Sequence, residues 1–267
     1  MNRNVIEVGD LVKIFDGLAA VDGISFEVGA GEIFGFLGPN GAGKTTTIKI
    51  LTTLLHPTSG KVSVNGFDPV ADSENVRRSF GIVFQDPSLD DELTAYENLE
   101  FHGVLYGMPK KMRRERIENL MKLVELWDRR GDLVKHYSGG MKRRLEIVRG
   151  ILHHPKILFL DEPTLGLDPQ TREHIWDYIK NLNEKERLTV FFTTHYMEEA
   201  DRAAGRIAII DNGKIVARGN PAELKKEMNA SSLEDVFLAF TGHEIRAENS
   251  EAADTMRMRH RLWTKRK

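Results

Sequence analysis

The stretch Gly38-Pro39-Asn40-Gly41-Ala42-Gly43-Lys44-Thr45-Thr46 constrains this chain more than any other. It fits Gly-x-x-x-x-Gly-Lys-Ser/Thr, in which successive backbone N–H groups cradle phosphates and the lysine reaches the outer ones. Glu32 to Leu37, just before it, is a short apolar run that reads as a buried strand. Thr45 to Leu55, just after it, reads as a helix that stops before Pro57. Strand, loop and helix together set a helix N-terminus, with unpaired N–H groups and a positive dipole end, against the phosphates. Gly38, Gly41 and Gly43 allow the turn and the close approach of backbone to ligand. A chain built around this unit is expected to bind a nucleoside triphosphate.

The remaining segments supply a sheet for that unit. Val5–Ile14 and Ile24–Val28 read as early strands in an antiparallel layer, with further strands at Lys61–Gly66 and Gly81–Phe84. From about Asp91 to Arg130 the apolar positions fall at helical spacing, with a break at Gly107-Met108-Pro109. Another helix from Gly140 to about His153 stops at Pro155, so a helical subdomain is expected over about 91–153. Ile157-Leu158-Phe159-Leu160 is a continuous apolar strand, as a sheet covered on both faces requires. Pro169–Glu186 reads as a helix, Thr189–Thr193 as a strand, Tyr196–Ala203 as a helix, and Asp211-Asn212-Gly213 as a hairpin turn. Asn220-Pro221-Ala222-Glu223 opens a helix with a capping side chain and a first-position proline, and Ser232–Thr241 reads as a last short helix. The expected class is α/β: a P-loop NTPase core with a mainly parallel sheet, an N-terminal antiparallel β subdomain and an inserted α-helical subdomain.

Composition narrows the partners. The 267 residues carry a net charge of −2, so no global basic field points to nucleic acid. The chain has no cysteine, which removes disulfides and thiolate metal sites. No apolar run approaches the roughly 18 residues of a membrane helix, and the N-terminus lacks the apolar core of a signal peptide. A soluble cytoplasmic chain is expected, and any membrane role needs a partner.

Triphosphate hydrolysis also needs Mg²⁺ ligands, a group that activates water, and stabilisation of the transferred phosphoryl. Asp161 ends a buried strand where a carboxylate can hold Mg²⁺ together with Thr45. Glu162, one residue on, is placed to polarise water as a general base. The competing reading of such a pair is an acidic start to the next helix.

Tyr137-Ser138-Gly139-Gly140-Met141 resembles the signature motif of ABC-type ATPases and precedes Asp161-Glu162 at that family's usual distance. The order Phe15, phosphate loop, Gln85, signature, Asp161-Glu162, Leu167-Asp168, His195 is also similar to the family's, over about residues 4–240. The resemblance implies ATP and Mg²⁺ as cofactors. Phe15 would stack on adenine, the alternative being a core aromatic on a strand. Gln85 would touch Mg²⁺ and the attacking water and begin the loop facing the membrane partner. Ser138, Gly139 and Gly140 would bind the γ-phosphate of ATP held by another subunit, a role suited to a loop opening a helix. His195 would bond the γ-phosphate, and Asp168 would belong to the loop linking two sites across a dimer.

Two signature positions depart from the common Leu-Ser-Gly-Gly-Gln: Tyr137 and Met141. The Ser-Gly-Gly that meets phosphate is intact, so hydrolysis is expected to survive. The signature, with Leu233-Glu234-Asp235-Val236-Phe237, is similar to subunits of ABC-2-type exporters of drugs, lipids or polysaccharides. The expectation is an ATP-hydrolysing subunit that works as a homodimer, or with a second ATP-binding subunit. It would sit on the inner face of the cell membrane through a separate integral membrane permease. The alternative is a soluble ABC-type ATPase acting on ribosomes or nucleic acid. A GTPase reading lacks an Asn-Lys-x-Asp motif. Residues 241–267 read as a basic, mobile C-terminal tail, and its end, 257–267, either stays solvated or docks on an anionic membrane surface.

Overall fold

A computed structural model describes residues 3–242. Strands β1 (Asn4–Phe15), β2 (Leu18–Gly29) and β4 (Ser59–Val64) form an antiparallel sheet in the order β2-β1-β4. A second sheet runs β5 (Phe80–Val83), β6 (Ile157–Asp161), β7 (Thr189–Thr194), β3 (Ile33–Leu37), β8 (Arg206–Asp211) and β9 (Lys214–Gly219). Its neighbours are parallel except for the β8–β9 hairpin, which turns at Asn212-Gly213 with both residues at positive φ. The phosphate-loop strand β3 is therefore interior, between β7 and β8.

The continuous apolar runs follow from burial on both faces. Side chains on a strand alternate, and here each side meets a different core. Leu158, Leu160, Val190 and Phe192 face the core shared with the helices. Ile157, Phe159 and Phe191 face the core shared with the antiparallel sheet. Phe26, Phe34, Phe36 and Phe191 pack with ring centroids 5.4–5.9 Å apart and join the two sheets.

The helices are α1 (Lys44–Leu51), α2 (Ser73–Ser79), α3 (Ala95–Leu105), α4 (Lys110–Leu123), α5 (Gly139–Ile151), α6 (Pro169–Glu186), α7 (Met197–Ala203), α8 (Pro221–Glu227) and α9 (Leu233–Thr241). Helices α3, α4 and α5 fall within 91–153, and the break at Gly107-Met108-Pro109 separates α3 from α4. Asn220 caps α8 through Ala222 N–H at 2.9 Å, and Ser232 with Asp235 forms a capping box on α9.

Two local expectations change. Helix α1 ends four residues before Leu55, because Thr53 adopts a left-handed φ of 65° and Leu54 and Leu55 N–H turn back to the Lys49 carbonyl. Helix α2 is not apparent from periodicity, since Val76 is its one apolar residue. Of the expected tail 241–267, residues 243–267 lie outside the described residues.

Candidate active site

The phosphate loop is closed by contacts that only glycine permits. A Cβ on Gly38 would lie 2.2 Å from the Ile210 carbonyl oxygen, and one on Gly43, at φ 111°, 2.5 Å from the Ala20 carbonyl. The β1–β2 hairpin and β8 thus press on the loop from outside. Gly38→Ala is expected to lower the unfolding midpoint, at a cost of about 2 kcal/mol. It should also weaken ATP binding at least about tenfold by displacing the loop, which calorimetry and ATP titration would read.

Lys44 is 5% exposed, and its Nζ donates to the Gly38 and Pro39 carbonyls at 2.8 and 3.2 Å. The same ammonium stands 3.2 Å from Glu162 Oε1. His195 Nδ1 meets Glu162 Oε2 at 2.9 Å; a carboxylate only accepts, so the ring N–H is the donor. Burial alone would push Glu162 up, but the His195 bond and the Lys44 charge outweigh it and hold the carboxyl below its ordinary value.

Consecutive strand residues point to opposite faces, yet Asp161 and Glu162 both face the phosphate loop. Glu162 leaves β6 with φ 49°, and its N–H is caught by the Thr193 carbonyl at 3.2 Å and the Thr193 hydroxyl at 3.1 Å. That hydroxyl donates in turn to Asp161 Oδ1 at 2.5 Å. Burial is the largest influence on Asp161 and pushes its carboxyl up, against the Thr193 bond and the nearby Thr45 and Lys44.

The structure gathers Asn40, Gly41, Gly43, Lys44, Thr45 and Thr46 with Gln85, Glu162 and His195 around one cleft. Pro39 and Ala42 build the loop, with Ala42 N–H donating to the Pro39 carbonyl at 3.2 Å. Phe15 does not line this cleft. It is 43% exposed at the end of β1, with Lys13 Nζ 4.9 Å from the ring centroid, so it is not a core aromatic. Ser138, Gly139 and Gly140 also lie outside the cleft. Ser138 caps α5 by accepting from Met141 N–H at 3.3 Å. Asp168 caps α6 through Thr171 N–H at 3.0 Å, and the Thr171 bonds hold its carboxyl below the ordinary value. The two caps are neighbours: Cβ atoms built on Gly139 and Gly140 would meet Leu167 at 3.5 Å and Thr171 at 2.6 Å.

Sequence reading missed Thr193 and Glu199. Glu199 is 8% exposed and accepts from the hydroxyls of Thr164 and Thr194, tying the turn after Glu162 to the strand end before His195. The available signal was the pair Thr193-Thr194 following the apolar centre Val190–Phe192 of that strand.

A family profile described as ABC transporter matches residues 21–165. This chain belongs to the ABC transporter family. It is 46% identical over 228 residues to the daunorubicin/doxorubicin resistance ATP-binding protein DrrA of Streptomyces peucetius, covering 85% of this chain and 69% of that one. It is 38% identical over 237 residues to the Nod factor export ATP-binding protein I of a Rhizobium species, covering 89% and 78%. A solved ATP-binding cassette, a dimer in a post-hydrolysis state with ADP and phosphate, superposes with a TM-score of 0.71 at 28% identity, covering 80% of this chain and 98% of that one. As an ABC transporter ATPase, the chain binds ATP and hydrolyses it in support of transport.

Proposed function

We propose that two ATP-binding chains close face to face around two ATP molecules and drive an exporter through a membrane permease. The observation that carries this reading is a divided site. Lys44, Glu162 and His195 share one cleft, whereas Ser138 and Gly139, an anion-binding helix start, face solvent elsewhere. A half-site of this kind is completed by a second chain, either a copy of this one or another ATP-binding subunit.

In this reading the loop Gly38–Thr46 grips the phosphates and Lys44 reaches the outer ones. Glu162 takes a proton from water, with His195 holding that carboxylate in place and bonding the γ-phosphate. Asp168 belongs to the dimer loop beside the signature, and Phe15, open to solvent on its strand end, stacks on adenine. Thr45, Asp161 and Gln85 offer hydroxyl, carboxylate and amide oxygens, a donor set that suits Mg²⁺. Thr45 already stands close enough to Asp161 to favour its charged form. When bound, Mg²⁺ would neutralise charge on the phosphates.

The partner surface is the helical segment. Phe101, Val104 and Leu105 sit on one face of α3 and are 61%, 53% and 67% exposed, a patch suited to an apolar partner. No helix among the described residues is long and apolar enough to cross a membrane, so this chain would reach the inner face of the cell membrane through the permease. The relatives named for drug resistance and Nod factor export favour an exporter, with a hydrophobic drug, lipid or polysaccharide as cargo. No nucleic-acid role is called for.

The turnover rate per chain should rise with protein concentration and level off once dimers predominate. Ser138→Arg should lower the plateau about a hundredfold while ATP binding to single chains persists. A rate per chain that is constant across the concentration range would overturn the divided site.

A further inference from the structure

Helix α5, which begins at the signature, carries Arg143, Glu146 and Arg149 three residues apart on one side. All three reach the segment that leaves β5 and contains Gln85. Arg143 Nη1 donates to the Phe84 carbonyl at 2.7 Å and Nη2 to the Gln85 carbonyl at 3.2 Å. Glu146 Oε1 accepts from Ser88 N–H at 2.8 Å, while Oε2 pairs with Arg143 at 3.1 Å. Arg149 donates to the Ser88 carbonyl and hydroxyl.

Arg143 and Glu146 are 7% and 1% exposed. Burying such a pair gives little net stability compared with apolar residues of the same size. What it provides is direction: a planar fork that spans two carbonyls, and a carboxylate that fixes one N–H. Fork and carboxylate are each anchored on the helix that opens at Ser138.

We propose that Arg143 and Glu146 are positioning residues that clamp the Gln85 loop onto the signature helix. Gln85 in one ATP site and Ser138, which serves the other, then move as one body. A phosphate seated on the signature of one chain thereby sets Gln85 in that chain's own cleft. The clamp rests on the roles given above to Gln85 and Ser138.

The test uses the full chain at concentrations where dimers predominate, with Arg143→Lys, Gln85→Ala and the double variant. Lysine keeps a charge beside Glu146, and so the fold, but cannot span both carbonyls. Arg143→Lys is expected to lower kcat about tenfold, with the unfolding midpoint and the affinity of single chains for ATP unchanged. Gln85→Ala should lower kcat at least as far, and the double variant should be no slower than Gln85→Ala, because both act through one group. Losses that multiply in the double variant, or an Arg143→Lys rate equal to wild type, would overturn the clamp alone. An unchanged kcat in Gln85→Ala would overturn the Gln85 reading and the clamp with it.

Discussion

Glu162→Gln should bind ATP with affinity close to wild type, accumulate as a closed dimer and turn over about a thousandfold more slowly. Glutamine keeps the length of the side chain and an acceptor oxygen for Lys44, while its NH2 can donate to His195 in the ring's other tautomer. What it loses is the ability to take a proton from water. Burial works against ionisation of Glu162, but the His195 bond and the Lys44 ammonium keep it charged at neutral pH. Phosphate entering the loop competes for that ammonium. As Lys44 turns toward it, one hold on the carboxylate weakens and its proton affinity rises, the direction a general base needs. Size-exclusion chromatography with ATP and a phosphate-release assay measure the two halves of the result. An unaltered rate would remove Glu162 as the base.

Lys44→Met should abolish measurable ATP binding and also destabilise the fold. The pair it breaks is enclosed, with side chains 5% and 7% exposed, and methionine would leave a buried carboxylate that has lost its ammonium and keeps the His195 ring N–H. Loss of one member of such a pair costs about 3 kcal/mol at neutral pH. The sign with pH follows from Glu162, whose folded pKa lies below the ordinary value. The stability that its charged form contributes is complete above that ordinary value and is lost as pH falls through the folded one. The gap between wild type and Lys44→Met should therefore be widest at neutral pH and narrow in the same acid range. Urea titrations at a series of pH values would show it, and a gap that widens toward acid would contradict the pairing.

The phosphate-loop unit is legible in the sequence because each part is local: an apolar strand, three glycines at fixed spacing and a helix that starts on lysine. The strands of the buried sheet are legible too, since two covered faces force unbroken apolar runs. The strand order is not. Nothing in Ile33–Leu37 says that β7 and β8, more than 150 residues later, flank it. The polar network behind the site is equally hidden. Thr193, Glu199, Arg143 and Glu146 look like ordinary residues of a strand or helix until the tertiary fold buries them. Asp161 and Glu162 fall between these cases. Their position at a strand end points to the chemistry, but that both turn toward the phosphate loop depends on a backbone turn that the sequence does not announce.

That turn has a consequence for any attempt to harden this protein against heat. A glutamate held at φ 49° costs about 1–2 kcal/mol relative to a relaxed backbone. Asparagine or glycine would occupy the same conformation with less penalty. Either replacement would nonetheless strand the enclosed Lys44 ammonium, a loss of about 3 kcal/mol that outweighs the relieved strain, so heat-hardening has to leave position 162 alone and look elsewhere in the chain.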